Sequence, residues 1–134
     1  MANNKELVKR FFYDILTQKE TGTADEIFHP EFIHHSFPTT SKGPQAIKDS
    51  LTIFTSGFPD IEAYVEEALE EGDTVVTRGY WTASHKGEFM GIPATGNNVN
   101  VKYIDMWKIK DGKLFESRVQ MDMAGLMQQL GVIK

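Results

Sequence analysis

The spacing of hydrophobic residues changes period once along the chain, near its middle. Leu7, Val8, Phe11, Phe12, Ile15 and Leu16 recur at three- and four-residue intervals and form one apolar face of an N-terminal helix. Asn3 with Glu6 reads as a capping box that opens this helix, and Gly22 marks its far end. Thr23 and Glu26 repeat that signature and predict a short second helix, closed by Pro30. Phe32-Ile33-His34-His35 predicts a short extended piece, and Pro38 and Gly43 mark the loop after it. Pro44 suits the first turn of a third helix, whose buried stripe is Ile47, Leu51 and Phe54 and whose end is Gly57.

Beyond Gly57 the period falls to two. Ile61, Ala63 and Val65 alternate with Glu62, Tyr64 and Glu66, as in a half-buried strand. Gly72-Asp73 turns the chain into Val75–Ala83, rich in β-branched and aromatic residues. Gly87, Gly91, Pro93 and Gly96 punctuate a long excursion. Strands over Val99–Ile109 and Leu114–Met121 then flank Asp111-Gly112, a strong hairpin signal. Leu126, Met127 and Leu130 make a last helical stripe, stopped by Gly131. Helices first and hairpin-linked strands afterwards specify an α+β class. Long twisted strands with few breaks curl, and helices plugging the concave side leave a cone with one open mouth. No repeat or linker divides the chain, so residues 1–134 are expected to form a single domain.

Composition narrows the function. A net charge of -5 without any Lys/Arg run argues against nucleic acid and anionic membranes as partners. With 0 cysteines, disulfides, thiolate nucleophiles and Cys-ligated zinc are excluded. No metal-ligand spacing of His and carboxylates appears, and adjacent His34 and His35 on an extended piece point oppositely, so no metal site is expected. The polar start Met1-Ala2-Asn3-Asn4-Lys5-Glu6 lacks a signal-peptide core, and no apolar run reaches membrane-spanning length, so the expected location is cytoplasmic.

An ordered set of motifs runs through the second half. Phe58-Pro59-Asp60-Ile61 and Gly72-Asp73-Thr74-Val75-Val76-Thr77-Arg78 come first. The run His85–Gly96, then Asp111-Gly112-Lys113-Leu114-Phe115-Glu116, Asp122 and Gln129-Leu130-Gly131-Val132 follow. Together they resemble the SnoaL-like polyketide cyclase family, also labelled ester cyclases, from about residue 30 to the C-terminus. The resemblance implies the cone-shaped α+β barrel shared with ketosteroid isomerase. It also implies a homodimer or homotetramer built through the outer face of the sheet. The chemistry it implies is cofactor-free acid/base work on a small carbonyl compound, in the best-known members an aldol closure of a polyketide ring. An aspartate matching Asp122 is the acid/base there. His35 lies where the family often carries a histidine near the pocket mouth, and His85 matches a second.

Aldol closure needs a proton removed beside a carbonyl and a stabilised oxyanion, and a carboxyl group whose pKa is raised by burial serves both steps. Glu116, Arg118, Gln120 and Asp122 share strand parity; the row faces either solvent or a pocket, and the resemblance favours the pocket. Asp122 immediately precedes a helix, so an N-cap is the competing role. Arg118 stands where relatives usually carry an aromatic residue; it pairs with Glu116 or meets an anionic ligand. The latter keeps a non-catalytic metabolite binder open, and isomerase, dehydratase or hydrolase chemistry in the same cone is a further alternative. Arg78 is expected to pair with Glu116 inside the cone. Trp81, Trp107, Tyr103 and Phe89 are expected to shape an apolar cavity.

Overall fold

The computed structural model describes residues 4–36 and 41–133. The expected Asn3 cap and the Pro38 loop position lie outside them. Helix α1 (Asn4–Arg10) continues as a π-helical segment, Phe11–Thr17, in which Gln18 N–H donates to Tyr13 O at 3.1 Å. The wider π turn brings Phe11, Phe12, Ile15 and Leu16 onto the core together, and all four are buried. The segment stops well before Gly22. Lys19 takes φ +63°, and its ammonium donates to Leu16 O, Thr17 O and Ile61 O at 2.8, 3.0 and 2.9 Å, satisfying the terminal carbonyls.

Helix α2 (Thr23–Ile27) has Gly22 at its N-cap with no side-chain cap bond, so the expected Thr23–Glu26 box does not form. The chain passes directly into β1 (Phe28–His34), which starts earlier than Phe32 and contains Pro30. A proline fits there because β1 is an edge strand whose parallel pairing with β5 is interrupted between Phe28 and Ile33. Helix α3 (Pro44–Gly57) begins at Pro44 and buries Ile47, Leu51 and Phe54.

Strands β2 (Glu62–Glu71), β3 (Thr74–Ser84), β4 (Asn98–Lys110) and β5 (Lys113–Met121) form an antiparallel run, giving the order β1-β5-β4-β3-β2. Asp111 and Gly112 both adopt positive φ, +55° and +73°, as the tight β4–β5 hairpin requires. The ladders shift register between Val65 and Glu67 on β2 and around Phe115 on β5, and such bulges bend a sheet. The curved sheet closes its concave face over the helices. Phe11 meets Trp107 at 5.1 Å and Phe12 stacks on Tyr103 at 5.0 Å between ring centres. Helix α4 (Met123–Gln129) packs back on β4. The α+β class with helices on the concave side is as the sequence predicts.

Candidate functional site

The site is built on one face of β4. Val99, Val101, Tyr103, Asp105, Trp107 and Ile109 alternate inward and are all buried, while their neighbours point out. Asp105 thus occupies a position that strand periodicity reserves for the core. Strand register carries that polarity sideways. Asp105 stands opposite Thr77 on β3 and Val119 on β5; Trp107 stands opposite Ser117, which in turn stands opposite His34 on β1. Two neighbouring rows therefore cross the concave face, His34–Ser117–Trp107 and Val119–Asp105–Thr77.

Above these rows lies a cavity of about 60 Å³, walled by Phe11, Phe12, Phe54 and Trp81 and reached by Asp105 and His34. It has room for about four waters. Among the described residues no Lys or Arg lines it. Asp105 is 4% exposed. Burial pushes its carboxyl up to about 7, although the Thr77 hydroxyl, which donates to it, favours the anion. The Trp107 indole N–H, two residues along the same face of β4, also favours the anion. Burial, followed by the charge of His35, holds the His34 imidazole down to about 4, so it is neutral at pH 7. Burial, then the Asp105 charge, raises the Tyr103 phenol, whose hydroxyl donates to Tyr64 O at 2.8 Å.

Of the residues singled out in the sequence, Trp81, Trp107 and Tyr103 line this cavity. Phe89 is fully buried but sits behind the wall, against Phe54 and Phe58 at 5.5 and 4.9 Å. Glu116, Arg118, Gln120 and Asp122 do share a side of the chain, but it is the outer side; Ser117, Val119 and Met121 face the cavity instead. The bulge at Phe115 explains the reversal, because inward Leu114 and inward Ser117 are three residues apart. Asp122 is exposed, and its Oδ1 accepts the Gly125 N–H at 2.8 Å as the N-cap of α4. The cap is the role its geometry displays, and the pocket-facing placement that the resemblance favours is not what the structure shows for it.

The histidines exchange places. His35 lies outside the cavity lining and meets Glu116 Oε1 at 2.8 Å through Nε2, whereas His34 points in. His85 is fully buried but away from the cavity: its Nδ1 accepts Thr95 N–H at 3.2 Å and its main chain bonds Asn97 O and Gly96 N–H, clamping the loop ends. Arg78 lies on the outer face and binds Glu67 at 2.8 Å and Glu66 at 3.5 Å, not Glu116. Arg118 is 4.0 Å from Glu116 on the same outer face, so no guanidinium greets a ligand in the cavity. Asp105, Ser117 and the inward role of His34 are not among the features singled out in the sequence, and for Ser117 and His34 the residue pattern carries no signal. The available signal for Asp105 is its parity with Val101, Tyr103 and Trp107.

Among the described residues no three His, Asp or Glu side chains cluster to hold a metal, and no helix is long and apolar enough to cross a membrane.

Comparison with known proteins agrees with this architecture. A family model described as SnoaL-like polyketide cyclase matches residues 6–130. The chain is 30% identical to the aklanonic acid methyl ester cyclase DauD of Streptomyces sp. (strain C5), over 98% of this chain and 83% of that protein. It is 24% identical to a nogalonic acid methyl ester cyclase of Streptomyces nogalater, over 83% and 85% of the two chains. Among solved structures, TsrD from Streptomyces laurentii superposes with a TM-score of 0.89 at 26% identity, covering 99% of this chain and 100% of that one.

Proposed function

The chain belongs to the SnoaL-like polyketide cyclase family, and from that premise we propose that it performs cofactor-independent proton transfer on a small, uncharged carbonyl compound, with Asp105 as the acid/base. The observation that carries this reading is a carboxyl group tuned to about 7, buried at the floor of an apolar cavity. A base poised near the working pH is half ionised, so it accepts a proton from carbon and returns it without a large penalty in either direction. In an aldol closure the Asp105 carboxylate takes the proton beside a carbonyl, and the C–H electron pair moves into the enolate. The enolate carbon forms the new C–C bond with a second carbonyl, and the resulting alkoxide takes the proton back from Asp105.

The cavity wall bears on substrate charge. With no Lys or Arg among the described lining residues and a neutral His34, an anionic ligand finds no counter-charge there. Two relatives are named for methyl esters, in which the acid group is masked, and the same masking suits this cavity. This weighs against an anion-binding protein anchored by Arg118. At about 60 Å³ the cavity accepts only a small group in this conformation, so a multi-ring substrate enters only if the helical wall moves. Isomerase or dehydratase chemistry uses the same proton transfers, and product analysis separates them from cyclisation. The test is Asp105→Asn against wild type on a panel of diketones and keto-esters, paired with carboxyl ¹³C titration. Turnover that survives the substitution, or a carboxyl titrating in the ordinary aspartate range, rejects the reading.

We also propose a homodimer through the outer face of the sheet. Leu69, Ile104 and Met106 are 62%, 57% and 41% exposed there, and Leu69 and Met106 lie in one register row through Val76. Sedimentation of Ile104→Lys tests it: a dimeric wild type with a monomeric variant is expected, and a monomeric wild type rejects it.

A further inference from the structure

We propose that the Ser117 hydroxyl and the Trp107 indole N–H together form the seat for the substrate's carbonyl oxygen and for the enolate oxygen it becomes. The enolate half of this proposal rests on the Asp105 reading above; the oxygen seat itself does not.

The two groups face one another across adjacent strands. Trp107 on β4 is the register partner of Ser117 on β5, and both line the cavity. Side chains directly opposite in this way have Cβ atoms about 5 Å apart. Both are essentially sealed from water, 2% and 1% exposed. Ser117 Oγ and Trp107 Nε1 find no hydrogen-bond partner among the described residues. Folded chains pair nearly all of their buried polar atoms, so two donors without a hydrogen-bond partner at facing positions of one cavity wall call for a ligand that completes them. Alanine at 117 and phenylalanine at 107 would fill the same space without that debt.

The chemistry of the pair selects the ligand atom. An indole N–H only donates, and a hydroxyl donates while rotating freely, so both suit one acceptor oxygen. Neither carries charge, so the seat strengthens as negative charge develops on that oxygen without demanding an anion beforehand. Trp107 Nε1 also lies near enough to Asp105 to favour its anion, which puts the oxygen seat beside the proton acceptor. As Asp105 takes the proton it becomes neutral while the adjacent oxygen becomes negative. The two donors then stabilise the enolate where it forms. His34, neutral and next in the same row, borders the seat without adding charge.

The probes are acetone and isobutene, which suit a cavity of about 60 Å³, share a shape and differ in carrying a carbonyl oxygen or a methylene. Wild type is expected to bind acetone about tenfold more tightly, the worth of one net hydrogen bond. The carbonyl stretch of the bound ketone is expected to fall below its value in hexane. Ser117→Ala and Trp107→Phe are each expected to shrink the preference severalfold and to return the stretch toward the hexane value, leaving isobutene binding within about twofold. The serine variant keeps the test alive where loss of the indole disturbs the core. Equal affinity for the two probes, equal loss of both in the variants, or no binding of either overturns the proposal. Asp105→Asn is expected to keep the ketone preference. A normal Asp105 titration beside an intact preference therefore sinks the acid/base reading alone, and a lost preference beside a raised titration sinks the oxygen seat alone.

Discussion

Replacing Asp105 by Asn keeps the shape of the cavity floor and removes its ionisation. The carboxyl rises from an ordinary 3.8 to about 7 because burial disfavours the charged form, so ionising it costs the folded state about 4 kcal/mol. That contribution is fully present below pH about 4 and is lost as pH rises through about 7. His34 works the other way. Its pKa falls from 6.5 to about 4, so its contribution of about 3 kcal/mol is present above pH about 6.5 and lost as pH falls through about 4. The two opposed slopes nearly cancel in the wild type between about pH 4 and 7. In Asp105→Asn only the His34 slope remains. The variant is therefore expected to match wild type near pH 4 and to exceed it increasingly, by about 1.4 kcal/mol per pH unit, up to about 4 kcal/mol at pH 8. Urea unfolding followed by fluorescence of the buried Trp81 and Trp107 measures this at each pH, and the difference between the proteins cancels every other titrating group. A stability difference that does not change with pH would refute the argument, because it would mean Asp105 is not held neutral by burial.

Three further outcomes follow from the same geometry. Asp122→Ala removes the α4 cap and should cost about 1 kcal/mol by denaturant midpoint, while leaving the Asp105 titration unchanged; a shifted titration would show that Asp122 communicates with the cavity after all. Gly79→Ala puts a Cβ into the Tyr64 carbonyl oxygen and beside the Tyr103 hydroxyl that bonds it, and should destabilise by about 2–3 kcal/mol, since the atom it meets is main chain rather than the end of a flexible side chain; a change near zero would mean the strands separate freely. Arg78→Ala breaks only exposed ion pairs with Glu66 and Glu67 and should change stability by less than about 1 kcal/mol; a larger loss by thermal melting would place Arg78 in an interface.

The order of elements, the α+β class, the hairpin turns at Gly72 and Asp111-Gly112, and the membership that the motif string from Phe58 to Val132 suggests were all legible along the chain. These depend on local spacing and turn chemistry. The alternation of β4 likewise carries the signal that Asp105 points inward, since only one of that strand's two faces is apolar. On β5 alternation separated two rows without saying which was inside, because Ser117 faces in among Leu114, Val119 and Met121 while a bulge at Phe115 resets the count. The π-helical winding of Phe11–Thr17 left no mark in the spacing either. Which histidine of the His34–His35 pair turns inward was settled by the pairing of β1 with β5, a contact between residues more than eighty positions apart. The sequence thus determined which side chains share a face. Only the closing of the curved sheet over its helices decided which face lost its water, and with it which acid became the one worth titrating.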